Sequence, residues 1–112
     1  MVKKKVEKQT VRQVWVGRLE VTQIPGNQLI TLSQGAAFTW FTCWAETVEG
    51  FEGKATEVMR HYGLHVIAID EASPASERLG VEGTLLEQIE RTGESETYGL
   101  YGTFHGYPPR YC

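Results

Sequence analysis

The sequence predicts an α+β fold: a mainly antiparallel twisted sheet of four or five strands with two helices packed on one face. Three observations lead there. Residues 38–70 read as strand, helix, strand. Residues 10–23 form a Val-rich extended run with no helical period. A second apolar helix opens near Thr84, and a Gly-rich strand follows it.

Taken in order, residues 1–9 read as a flexible basic arm, and residues 10–112 as one domain. From Thr10 to Gln23 the chain alternates as a two-sided strand. Val14, Val16, Arg18 and Glu20 share one face; Trp15, Leu19 and Val21 share the other. Ile24-Pro25-Gly26-Asn27 is turn chemistry. Gln28 to Ser33 alternates again as a short return strand, so the first third predicts a β-meander.

The strand Phe38–Ala45 is apolar on both sides. Phe38, Trp40 and Trp44 point one way; Phe41, Cys43 and Ala45 point the other. One side can lie under a helix. The other needs a second cover: more of this chain, a second copy, or a partner.

Val48, Phe51, Ala55, Val58, Met59 and Tyr62 mark one face of a helix over residues 48–62. Thr47 suits its N-cap, Arg60 and His61 its last turn, and Gly63 its C′ position. Leu64 to Asp70 is an apolar strand, and Phe51, Val58 and Ile67 are expected in the core between helix and sheet. Ser73-Pro74 reads as an N-cap and first-turn proline opening a short helical turn through Leu79. Thr84 to Glu87 has capping-box spacing for a helix ending near Gly93. The last strand spans Thr97 to His105, with Tyr98, Leu100 and Phe104 on one face and Tyr101 and His105 on the other. In element order alone, the chain resembles a ferredoxin-like split βαβ with a hairpin in place of its first βα unit.

Charge narrows the function. Residues 1–18 carry +5 and residues 19–112 carry −8, for a net charge of −3. An acidic body repels phosphate backbones and argues against nucleic acid. Gly99 to Phe104 echoes the Gly-aromatic rhythm of RNA-recognition sheets but lacks flanking Lys or Arg. No apolar run is long enough for a membrane span, and the basic start has no apolar h-region, so a cytoplasmic location is expected.

No catalytic, metal or cofactor motif stands out, and none is assigned. His61 and His65 have the spacing of paired helix ligands, but Gly63 separates them. Cys43 with His105 is a conceivable thiolate–imidazole pair, but a mid-strand thiol among apolar side chains is held protonated. Asp70, the sole aspartate, is read as capping the turn that follows it. Glycines at 99, 102 and 106 mark a bulge or a close approach beside His105 and Tyr107.

The expected function is a non-enzymatic protein-binding module. Its size and charge resemble those of immunity and antitoxin-like inhibitors of basic partners. It is expected to form a homodimer through an aromatic sheet face of Trp15, Trp40, Trp44 and Tyr101. The alternative is a small-molecule binder or enzyme with a pocket between that face and the C-terminal strand, using Asp70, Tyr101 and His105.

Overall fold

β1 (Gln13–Gln23) and β2 (Ala36–Ala45) form the centre of a five-stranded antiparallel sheet in the computed structural model, which describes residues 11–26, 30, 32, 35–78, 80–95 and 99–106. They are followed by α1 (Val48–His61), β3 (Leu64–Pro74), a 3₁₀ turn (Ala75–Glu77), α2 (Thr84–Gly93), β4 (Leu100–Tyr101) and β5 (His105–Gly106). The strand order is β3-β1-β2-β4, and β5 also pairs with β2. The α+β class and the antiparallel sheet are as the sequence predicts. None of the described helices is long and apolar enough to cross a membrane.

β1 and β2 pair directly, with Thr22 opposite Ala36 and Gln13 opposite Ala45. The return strand expected over residues 28–33 falls mostly outside the described residues. After β1, the Gln23 side-chain amide donates to the Ile30 carbonyl and accepts from Leu32 N at 2.7 Å. These bonds steer Leu32 into the core. Gln28, Leu29, Thr31 and Ser33 lie outside the described residues, as do the basic arm at 1–9 and Leu79.

The pleat sorts β1 and β2 as their alternation predicts. Leu19, Val21, Ala37, Phe41, Cys43 and Ala45 face α1 and are buried with its Phe51, Ala55, Val58 and Met59. Phe51 sits at the centre. Its ring meets Phe41 edge-on at 5.8 Å and stacks on Trp15 at 6.3 Å. A side chain at Gly17 would come within 2.8 Å of the same ring, so glycine is what lets α1 approach β1. α1 begins at its Thr47 cap, whose hydroxyl accepts from Gly50 N at 3.0 Å. It ends at His61 with Tyr62 as C-cap, and Gly63 follows with φ of 82°.

α2 departs from the expectation that both helices share a face. Its inward residues meet the even-numbered side of β2, opposite α1. Thr92 Oγ1 lies 2.7 Å from Thr42 Oγ1, and Trp44 Nε1 donates to the Thr92 carbonyl at 2.7 Å. Gln88 Nε2 reaches the carbonyls of Trp40 and Leu100 at 3.0 and 2.9 Å, and Thr42 Oγ1 at 3.3 Å. The physical reason is the two-sided apolar β2, which needs cover on both faces. α2 begins after Gly83, with no side-chain cap, so Thr84 is helical rather than the cap.

β3 runs further than predicted, to Pro74, and carries two irregularities against β1. Two residues, Glu71 and Ala72, stand opposite Gly17, and Glu71 adopts φ of 58°. Ile67 is the extra residue between Glu20 and Val21, and the bulge leaves it 48% exposed. It is therefore not in the core, whereas Phe51 and Val58 are. Ser73-Pro74 ends the strand, and the short helical turn that follows is 3₁₀, with Pro74 rather than Ser73 at its N-cap.

The final strand is also broken. Residues 102–104 leave the ladder between β4 and β5, and Gly102 N donates to the Trp40 carbonyl at 3.0 Å. The break brings Tyr101 and Phe104 together at 5.2 Å, although unbroken alternation would have put them on opposite faces. A side chain on Gly99 would clash with Phe41 and the Thr42 carbonyl, so this glycine does mark a close approach. Thr97 and Tyr98 lie outside the described residues.

Candidate functional site: an arginine-capped aromatic face

β1, β2 and β3 together build one face from their even-side residues. The register sets Arg18 opposite Trp40 and also opposite Asp70. From there the Arg18 guanidinium reaches diagonally over the Phe38 ring, 4.8 Å from its centroid, and Nη2 donates to Asp70 Oδ2 at 3.3 Å. Its Nε is buried and has no hydrogen-bond partner among the described residues.

A second guanidinium repeats the pattern. Arg78, just after the 3₁₀ turn, lies over the Trp40 ring at 5.0 Å. Its Nη2 pairs with Glu71 Oε1 at 3.0 Å, and Nη1 donates to the Glu71 carbonyl at 2.8 Å. Gripping both ends of Glu71 holds this residue in a left-handed conformation that costs a non-glycine residue of order 1–3 kcal/mol. The guanidinium–ring contacts oppose that cost, at about 0.5–2 kcal/mol each.

Arg18, Phe38, Thr39, Trp40 and His105 line a cleft of about 200 Å³ on this face. His105 arrives because β5 places it opposite Phe38. The surface is therefore two half-exposed rings, each under an arginine, with carboxylates at the side and an imidazole at the end.

The predicted site residues divide between the two faces. Trp40, Asp70 and His105 come together here. Trp44 shares the face but lies against α2 through its bond to Thr92. Trp15 is on the opposite side, against Phe51. Tyr101 is also there, opposite Phe41 and 5.5 Å from Tyr62. The single aromatic face of Trp15, Trp40, Trp44 and Tyr101 is thus corrected by register. Asp70 pairs with Arg18 across the sheet rather than capping the next turn. Tyr107 lies outside the described residues. Arg18 and Arg78 carry no site role in the sequence reading, and Phe38 enters it only as part of the apolar side of the strand shared with Trp40 and Trp44.

The proposed catalytic combinations are dispersed. Cys43 and His105 stand on opposite sides of the sheet, five residues apart along β2, or roughly 17 Å. Burial raises the Cys43 thiol from 9.0 to about 11, against the opposing pull of Lys54 and Arg12. Burial, reinforced by Tyr62, also raises Tyr101. His61 ends α1 while His65 lies on β3, and no group of three or more metal-ligating side chains gathers among the described residues.

The thiol has a consequence for stability. The unfolded thiol ionises near 9.0 and the folded one near 11, so the unfolded chain loses its proton first. Stability is full below that window and falls as pH rises through it. We expect the urea midpoint to drop between pH 9 and 11, and Cys43→Ala to lessen the drop. An equal drop in the variant would assign the loss to other groups, Tyr101 first among them.

No family model, curated protein or solved structure matches this chain.

Proposed function

We propose that the protein is a non-enzymatic protein-binding module whose recognition surface is the face of Arg18, Phe38, Trp40 and Arg78. The observation that carries this reading is the pair of arginine-on-aromatic stacks standing side by side in partial exposure. Arginine and tryptophan are enriched where interfaces hold their binding energy, because each offers a large contact area together with directional donors. The stacks already hold the guanidiniums in place, which lowers the ordering cost on binding. The acidic balance of residues 19–112, with Glu20, Asp70 and Glu71 beside the stacks, favours a basic partner. Tyr101 lies on the other side of the sheet from Asp70 and His105, which weighs against the enzymatic alternative built on those three.

The test is affinity capture from the source cell with the wild type and with Arg18→Glu and Arg78→Glu, each variant first checked for a native far-UV spectrum. A polypeptide retained by the wild type and lost by both variants supports the reading. Equal retention by all three would move the binding surface elsewhere.

A further inference from the structure

β3 is the outermost strand on its side of the sheet, and among the described residues no strand lies beyond it. At the other side β2 is met by two short strands. A free edge exposes unpaired backbone donors and acceptors, and proteins normally blunt it with charge, proline or a bulge, of which the central part of β3 carries only the bulge at Ile67. Here Leu64-His65-Val66-Ile67-Ala68-Ile69 contains no Lys, Arg, Asp, Glu, Pro or Gly. Ile67 lies in the middle of it, half in water. Such a segment invites strand addition.

The charges at its ends indicate what adds. The segment runs from a basic end, Arg60 and His61 in the last turn of α1 and then His65, to an acidic end at Asp70 and Glu71. An antiparallel copy of the same strand sets each acidic end against a basic end, twice over by symmetry. The bulge at Ile67 makes the faces agree. Leu64, Val66 and Ile69 share the α1 side, while His65, Ala68 and Asp70 share the other. A dyad perpendicular to the sheet, between Ile67 and Ala68, keeps each face continuous. It sets Val66 opposite Ile69 and His65 opposite Asp70. Both polar residues are exposed and free to meet, and Asp70 holds Arg18 through one of its two oxygens.

We propose that β3 is a homodimerisation edge, on which a second copy of this chain adds its own β3 antiparallel, His65 of each copy facing Asp70 of the other. This inference does not rest on the proposed partner surface, although Asp70 borders both, and it replaces the aromatic-face dimer expected from the sequence. Register divides the four aromatics of that expected face between the two sides of the sheet.

The test is sedimentation equilibrium of the full chain at micromolar concentration, with hydrogen exchange measured at two concentrations. The wild type should be a dimer, and the amides of residues 65–69 should exchange more slowly as concentration rises. Ile67→Lys, at an exposed position, should raise the dissociation constant by about tenfold or more. At position 65 the dimer should weaken in the order His65→Lys, wild type, His65→Glu. The same two charges at exposed Thr84 should not reproduce that order. A monomeric wild type would overturn the proposal, even with residues 65–69 protected, since the chain would then be covering its own edge. A dimer indifferent to Ile67→Lys and to the position-65 series would also overturn it.

Discussion

Phe51→Ala is expected to lower the unfolding free energy by about 3–5 kcal/mol, the range for truncating a buried aromatic side chain. Phe51 is fully buried and joins three elements: its own helix, Phe41 on β2 and Trp15 on β1. Removing it leaves a cavity bounded by rings that the sheet holds in place. Gly17 offers no side chain to fill that cavity. Urea unfolding followed by Trp fluorescence measures the loss. A change below about 1 kcal/mol would mean that α1 can repack around the gap and that Phe51 is not the keystone of this side.

The second large effect is expected on the opposite face. Gln88→Leu should cost about 1–3 kcal/mol, because it removes a donor from partly buried acceptors at the seam between α2 and β2. Gln88 Nε2 serves the Trp40 and Leu100 carbonyls and the fully buried Thr42 hydroxyl. The Trp40 carbonyl keeps its bond from Gly102 N, but the Leu100 carbonyl is left with only a long 3.4 Å contact from Thr42. α2 buries little else: Thr92 is its sole fully buried residue, and Leu86 is exposed. We therefore expect amide exchange across Thr84–Gly93 to quicken in the variant, while α1 keeps its protection. Unchanged exchange in α2 would show that apolar contact, not the polar staple, holds this helix down.

That helix also shows where sequence reading stopped short. α1 was legible because its apolar stripe, Thr47 cap and Gly63 terminator agree with one another. α2 turns Gln88 and Thr92 inward, so its apolar residues say little about which side of the sheet it covers. The two-sided character of β2 did point to a second cover, and α2 supplies part of it. Ile67 misled because a bulge shifts the alternation by one residue, and nothing in Leu64–Ile69 signals where the extra residue falls. Trp15 and Trp40 are both large strand aromatics, but only the pairing of Arg18 with Trp40 and of Trp15 with Cys43 assigns them to different faces. The arginines escaped notice for the same reason. Arg18 lies on another strand from Phe38, and Arg78 is far along the chain from Trp40. A stack between distant residues has no local signature. What was visible in advance is the alternation in β1 that puts Arg18 on the side away from Leu19.

The Arg18–Phe38–Trp40–Arg78 face is the surface proposed to meet another protein. A photo-crosslinking residue placed at position 38, in the cleft, reports on it directly; the same residue at exposed position 52 on α1 is the control. Irradiation in the source cell should give a discrete adduct of higher mass from position 38 and none of that mass from position 52. Adducts of the same mass from both positions, or none from position 38, would contradict the account.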